Sequence, residues 1–204
     1  MKHWHDSAPK TRRSARHLSR VYGYKNPREL AESLPENAVV ADFGSAYSKF
    51  GRKIVTLRDD ISWFNIDPMY ANHGARLQRK APPGLQHVAG SVFQPPLPPG
   101  SCDRVFSSAL LPHIVMSSPE LGGEAVTAMA ELLAEDGELG VANFVNHRTL
   151  IGWHQKRGHI AVIGASDFHT DPEAATAEIV SGMQPLLPTA QKVINTIHRH
   201  SPLP

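Results

Sequence analysis

The sequence has a single cysteine, Cys102, among its 204 residues. An internal disulfide and a multi-cysteine zinc or iron–sulfur site are therefore excluded. No run of about 18 apolar residues could span a membrane, and the first residues lack the apolar stretch of a secretory signal. We expect a cytoplasmic protein in which Cys102 is a small buried residue rather than a nucleophile.

The chain has little net charge, +2, but the charge is unevenly distributed. Its first 30 residues carry eight basic side chains and two acidic ones. This excess predicts either a solvated basic helix or a surface for an anionic partner. Interleaved aromatic residues, which would stack on bases, are lacking, so a nucleic-acid partner is disfavoured. A chain of this length supports one domain, which we divide into a basic helical segment, 1–37, and an α/β domain, 38–204.

Short apolar strands alternate with helical segments along most of the chain. Strands are predicted at 38–43, 62–66, 85–92, 103–110, 138–145 and 191–198, and helices at 11–22, 27–34, 70–80, from Ser118, and at 172–183. The segment 159–165 fits either state. The proline-rich stretch 93–100 predicts a surface loop. This alternation indicates a single-domain, Rossmann-like, doubly wound and mostly parallel sheet with helices on both faces.

Three of these strands end in residues that could bind a ligand. In such sheets, ligands bind beyond the carboxyl ends of the strands. Gly44 allows a tight turn after the first strand, and Asp67 after the second could grip two ribose hydroxyls. A dinucleotide-binding fingerprint would have glycines at the positions of Ala46 and Lys49, so two of its three glycines are absent. The carboxylate of Asp42 would also repel the anionic pyrophosphate of a dinucleotide. The carboxylate instead suits a cationic ligand, such as one with an ammonium and a sulfonium.

Five segments in this order resemble the class I S-adenosylmethionine-dependent methyltransferase family, over roughly residues 34–145. They are 38–46, which resembles the cofactor loop, 64–67, which resembles the ribose-binding strand end, 90–92, which resembles the adenine turn, 101–114, which resembles the fourth-strand motif, and 133–139, which resembles the turn into strand five. The resemblance implies S-adenosyl-L-methionine as cofactor. The cofactor-binding residues it implies are Asp42, Phe43, Gly44, Ser45, Ala46, Tyr47, Asp67, Pro68, Met69, Ser91, Val92, Ser107 and Ser108.

The sequence departs from the family pattern at two positions. Ala46 stands where the family usually has glycine, and Ser91 where it usually has aspartate. The first change alters the loop around the methionine end of the cofactor. The second removes a carboxylate contact to the adenine amino group, a loss of about 0.5–1.5 kcal/mol.

The methyl acceptor is predicted from what is missing. Ser107-Ser108-Ala109-Leu110 occupies the place of the Asp/Asn-Pro-Pro-Tyr motif of base-modifying relatives, so a small molecule accepting at oxygen or nitrogen is favoured. His113, after strand four, is the first candidate for a base, and His147, after strand five, is the second. The aromatic candidates to cover the cofactor are Tyr47, Trp63, Phe64 and Tyr70. For Phe64, core packing is favoured instead, because it alternates with the strand.

Three functions remain open on these grounds. A methyltransferase is favoured, followed by a Rossmann-type NAD(P)-dependent oxidoreductase and by a non-catalytic protein that binds nucleic acid through the basic helix. We expect no metal site, because the histidines lack ligand spacing, and no membrane partner. The oligomeric state is not predicted.

Overall fold

The computed structural model of the chain describes residues 15–46, 48–108, 110–111, 114–115, 118–144 and 158–183. The predicted strand at 191–198 and the first four residues of the predicted helix 11–22 lie outside these residues. So do three site candidates, Tyr47, His113 and His147.

The described part of the chain includes seven helices and six strands. The helices are α1 (Ala15–Val21), α2 (Pro27–Ser33), α3 (Phe50–Val55), α4 (Tyr70–Gln78), α5 (Pro119–Ala130), α6 (Ala165–Thr170) and α7 (Pro172–Met183). The strands are β1 (Val39–Phe43), β2 (Ser62–Ile66), β3 (Leu85–Val88), β4 (Cys102–Ser108), β5 (Leu133–Phe144) and β6 (Gly158–Gly164). None of the described helices is long and apolar enough to cross a bilayer.

The six strands form one sheet in the order β3-β2-β1-β4-β5-β6. Strands β1 to β5 pair in parallel, and β6 pairs antiparallel with β5. The chain builds outward from β1 to β3, then returns across β1 to start the second half at β4. The predicted Rossmann-like, mostly parallel sheet is confirmed, and its reversal of strand order lies between β1 and β4.

Two apolar clusters cover opposite faces of the sheet. The first cluster joins strand residues such as Phe43, Val105 and Val141 to α5, α6 and α7. The second cluster joins Val40 and Trp63 to α1, α2 and α3. Helices therefore lie on both faces, as the near-continuous apolar strands predict.

Four aromatic rings form the centre of the second cluster. Tyr22 lies 4.5 Å from Phe106, and Trp63 lies 5.0 Å from Phe50 and 5.8 Å from Phe106, between ring centroids. Trp63 is fully buried there, and its indole N–H donates to Oδ1 of Asn65 at 3.1 Å. The suggestion that Trp63 covers the cofactor is therefore wrong: the ring is a core element.

The start of α2 follows its sequence signals closely. The Asn26 side chain accepts hydrogen bonds from the amides of Arg28 and Glu29, and Pro27 takes the first helical position. The Glu29 carboxylate reaches the amide of Lys25 at 2.5 Å, one residue before the cap. The reciprocal bonds of a capping box are thus present, with Glu29 bonded one residue before the cap.

Several boundaries differ from those predicted. Strand β3 stops at Val88 rather than 92, because the chain folds into a tight turn in which Ser91 pairs with Gln94. Strand β5 begins at Leu133, and its pairing with β4 jumps from Leu133 to Glu138, leaving a bulge around the predicted Asp136-Gly137 turn. The ambiguous segment 159–165 is strand β6 up to Gly164.

Candidate active site

The carboxyl ends of four strands lie side by side at one edge of the sheet. Phe43 of β1 pairs with Ile66 of β2 and with Ser107 of β4, and Ile66 pairs with Val88 of β3. The residues that follow these four positions therefore emerge together at the point where strand order reverses. Ligands bind at this place in open α/β sheets.

The loop after β1 begins with a glycine that the structure requires. Gly44 has φ +67, and its amide donates to the carbonyl of Ile66 at 2.9 Å. A Cβ at this position would lie 3.0 Å from Cβ of Leu110, in the chain just after β4. Glycine is thus required at position 44 for two reasons: the backbone is left-handed there, and the chain after β1 passes close to the chain after β4.

Ala46 is in the left-handed conformation although it has a side chain. Its φ is +44, whereas L-residues other than glycine rarely adopt such values. Both of its backbone polar groups are bonded. The amide donates to Oδ2 of Asp67 at 3.1 Å, and the carbonyl accepts a hydrogen bond from the Tyr70 hydroxyl.

Asp67 connects the ends of β1 and β2. The side chain is 2% exposed, with Oδ2 accepting from Ala46 and Oδ1 accepting from the amide of Met69 at 2.9 Å. An ionised carboxylate has about four acceptor positions, so it can accept from backbone amides and from ligand hydroxyls at the same time. Asp67 is therefore both part of the loop's structure and a group that can bind a ligand.

The remaining predicted residues of these two loops differ in exposure. Asp42 is buried in β1 at 3% exposure, and Phe43 is part of the first cluster. Met69 is buried and Pro68 is exposed. The aromatic side chain of Phe43 thus packs in the core.

The adenine turn of the sequence prediction is a hydrogen-bonded turn. The hydroxyl of Ser91 accepts from the amide of Phe93 at 3.2 Å, and Val92 is buried at 6% exposure. The hydroxyl keeps its own proton and one acceptor position. Phe93 beside it is 41% exposed.

Strand β4 ends in a buried hydroxyl. Ser107 is fully buried, and its Oγ has no hydrogen-bond partner in the described part of the chain. A buried polar atom without a partner costs free energy that a bound ligand can recover. The next residue, Ser108, is half-buried.

A row of contacts between Asn65, His87 and Tyr70, next to the site, was not predicted from the sequence. Asn65 is buried at β2, with Nδ2 3.4 Å from Nδ1 of His87, and the imidazole meets the Tyr70 ring edge-on at 4.9 Å. Burial, with a smaller effect of the positive charge of Arg52, lowers the pKa of His87. The buried position of Asn65 follows from its place in an apolar strand, but its contact with His87 spans 22 residues and leaves no periodic pattern in the sequence.

Within the described ranges, no group of three or more histidine, cysteine or acidic side chains could hold a metal ion. The acidic groups at the strand ends, Asp42 and Asp67, come from different strands. Their chemistry is that of hydrogen-bond acceptors for a cationic or hydroxyl-bearing ligand.

Comparison with known proteins gives a likeness of fold. No family model matches the chain, and no curated protein does. The solved structure of a 1,6-didemethyltoxoflavin-N1-methyltransferase from Burkholderia thailandensis, with S-adenosylhomocysteine bound, is 19% identical, with a TM-score of 0.50 over 71% of this chain and 59% of that one.

Two further solved structures are similar at lower scores. A phosphoethanolamine N-methyltransferase from Haemonchus contortus has a TM-score of 0.47 and 17% identity, over 66% of this chain and 29% of that one. A cyclopropane synthase from Mycobacterium tuberculosis has a TM-score of 0.46 and 16% identity, over 62% and 42%. This chain thus spans between about a third and three fifths of the lengths of the three solved chains. The fold comparison depends on the first of them.

Proposed function

We propose that this chain, which has the Rossmann-like fold of the class I S-adenosylmethionine-dependent methyltransferases, binds S-adenosylmethionine and transfers its methyl group to a small molecule. The observation that carries the proposal is a pair of buried carboxylates, Asp42 and Asp67, at the ends of neighbouring strands. They flank a left-handed loop at the reversal of strand order, where a ligand of this fold would bind.

The residues at this edge fit the chemistry of that cofactor. The carboxylates of Asp42 and Asp67 suit an ammonium group and ribose hydroxyls, and no basic residue occurs at 42–46 or 67–69 to attract a pyrophosphate. The unpartnered hydroxyl of Ser107 offers a further polar contact. When bound, S-adenosylmethionine supplies a methyl group that its sulfonium already activates.

The chain's own residues then have two tasks. The loops at the strand ends must hold the acceptor and methyl group in line, and they must exclude water. An oxygen acceptor also has to lose a proton, and His113 is our candidate for the base, with His147 as the second. Once an acceptor is known, His113→Ala should lower turnover at least tenfold and leave S-adenosylhomocysteine affinity intact; unchanged turnover would discard this assignment.

Titration calorimetry tests the cofactor directly. Purified protein is titrated separately with S-adenosylhomocysteine, S-adenosylmethionine, NAD and a short RNA. We expect binding of the first two only. Binding of NAD alone would favour an oxidoreductase, and binding of RNA alone, weakening steeply as salt rises, would favour a nucleic-acid-binding protein. Either result would overturn the proposal.

The acceptor is tested in a second experiment. Protein and methyl-labelled S-adenosylmethionine are incubated with fractionated small metabolites and, separately, with RNA and protein fractions. Label in the small-molecule fraction supports the proposed acceptor class. Label confined to RNA or protein would keep the methyltransferase and contradict the acceptor. The Asp67→Ala variant, with its weakened cofactor site, is the matched control for background transfer.

A further inference from the structure

Tyr70 is the first residue of α4, and its side chain lies beneath the loop that follows β1. The ring is buried at 3% exposure. Its hydroxyl donates to the carbonyl of Ala46 and lies 3.0 Å from Oγ of Ser45. The phenol of Tyr70, at the start of α4, is thus hydrogen-bonded to two successive residues of the loop that follows β1.

The directions of these hydrogen bonds follow from the number of protons. A phenol has one proton, and Tyr70 gives it to the Ala46 carbonyl. The proton between Ser45 and Tyr70 must therefore come from the serine hydroxyl. Ser45 orients the phenol oxygen, and the phenol holds the carbonyl.

The residue that is held in this way is the one with an unfavourable backbone. Ala46 has φ +44, a conformation in which its Cβ crowds the backbone and which a glycine adopts without that cost. Asp67 binds its amide and Tyr70 its carbonyl, so the peptide groups on both sides of the strained Cα are fixed.

We propose that Tyr70 is a positioning residue that keeps the cofactor loop in its binding conformation. A glycine at position 46 would adopt that conformation without the hydrogen bond from Tyr70. The proposal rests on the proposed function, because it assigns Tyr70 to the binding of that cofactor. Tyr70 touches neither the cofactor nor the acceptor in this role. It acts through the backbone of Ala46.

This role predicts that the residue at position 46 changes the two losses caused by Tyr70→Phe, that of stability and that of affinity, in opposite directions. When Tyr70→Phe removes the hydroxyl, Ala46 is free to relax to negative φ and recovers part of the strain. The protein then loses less stability than the lost bond alone would cost, but the cofactor has to restore the strained loop on binding. In an Ala46→Gly background there is no strain to recover, so stability falls by the full amount and affinity hardly changes.

The test is a double-substitution cycle with Tyr70→Phe and Ala46→Gly. Affinity for S-adenosylhomocysteine is measured by calorimetry and the unfolding midpoint in urea by fluorescence. We expect Tyr70→Phe to weaken binding about five- to thirtyfold with Ala46 present, which is the factor that corresponds to the cost of a left-handed non-glycine residue. In the Ala46→Gly background the same substitution should weaken binding less than about twofold. It should also lower the urea midpoint by more than it does when Ala46 is present.

Two controls match the substitutions in kind. Tyr24→Phe removes a phenol hydroxyl from the connection between α1 and α2, beside the second cluster. Asn37→Gly replaces the other described non-glycine residue with positive φ, which precedes β1 at the opposite edge of the sheet. Neither change should alter S-adenosylhomocysteine affinity.

The outcomes separate the positioning role from the function. Equal loss of affinity with alanine and with glycine at position 46 would overturn the positioning role, because a merely structural tyrosine gives no rescue. If the wild type does not bind S-adenosylhomocysteine, the proposed function fails. The urea midpoints then still test whether Tyr70 keeps Ala46 in its strained conformation. An equal decrease of the midpoint by Tyr70→Phe with alanine and with glycine at position 46 would overturn the positioning role too.

Discussion

The amide of Ala46 donates a hydrogen bond to Oδ2 of Asp67 at 3.1 Å, across 21 residues of chain. A carboxylate at the end of β2 therefore stabilises the turn after β1, and the two ends of the candidate cofactor site form one unit. Changes to Asp67 are expected to act on ligand binding and on stability together.

Replacing Asp67 by alanine should weaken S-adenosylhomocysteine binding more than tenfold, about 1.4 kcal/mol or above. The variant loses the proposed ribose contact and leaves the amides of Ala46 and Met69 without their acceptor. Calorimetry on the folded variant measures the change. Asp60→Ala is the matched control, because Asp60 also accepts a backbone amide, from Asn37, but at the other end of β1. Wild-type affinity in Asp67→Ala would remove this residue from the site.

Replacing Gly51 by alanine should destabilise the protein by about 1–3 kcal/mol, the usual cost of overfilling a core. A Cβ on Gly51 would lie 2.3 Å from the indole of Trp63, which is fixed by its bond to Asn65. Gly123→Ala on α5 is the control, since its Cβ would meet Thr176 at an ordinary 3.6 Å. That change should stabilise by up to about 1 kcal/mol through helix propensity. Urea unfolding of both variants decides the matter, and equal effects would contradict the packing described.

The thiol of Cys102 should resist thiol–disulfide exchange in the native protein at pH 8. Burial raises the pKa of Cys102 to about 11, so little of the reactive thiolate is present. Ellman's reagent should react slowly with native protein and rapidly, with one equivalent, in denaturant. Ser166→Cys supplies an exposed thiol as the control. Rapid reaction of both native thiols would show that Cys102 is accessible.

The free energy of unfolding should fall as pH drops below about 6.5, in part through His87. Burial lowers the pKa of His87 in the folded state, so below the ordinary value of about 6.5 the unfolded chain binds the proton more readily. His87→Gln should therefore reduce the loss of stability between pH 7 and pH 5. His169→Gln, at an exposed position on α6, is the control. An unchanged pH profile in His87→Gln would assign the loss to other groups.

The strands that position the site were predictable because each is a short apolar run closed by turn residues. The bounds of β2, 62–66, and of α7, 172–183, are those the sequence predicts. Helix α3 was missed because its first turn lacks the usual signals: Lys49 at the N-cap makes no side-chain capping bond. Packing of Phe50 and Gly51 against Trp63 supports this helix, and such contacts are not visible in a linear pattern.

The site was predictable in its carboxylates and not in their supports. Asp42 and Asp67 follow from the rule that ligands bind beyond strand ends, and the structure brings their strands together. Whether they bind the cofactor remains a prediction. The contact of Tyr70 with Ala46 depends on how α4 lies over the neighbouring loop, which the sequence pattern leaves open.

The position of β1 between β2 and β4 also has a consequence for the order of folding during synthesis. The amide of Val39 reaches Oδ2 of Asp103 across 64 residues, whereas every member of the second cluster except Phe106 and Ala142 lies between Leu18 and Leu85. Closing that long loop costs entropy before its contacts form. As the chain emerges from the ribosome, β1 to β3 can assemble with their helices, and Asp67 with its loop, before β4 has been made. The free edge of β1 then has to stay available until β4 has been made.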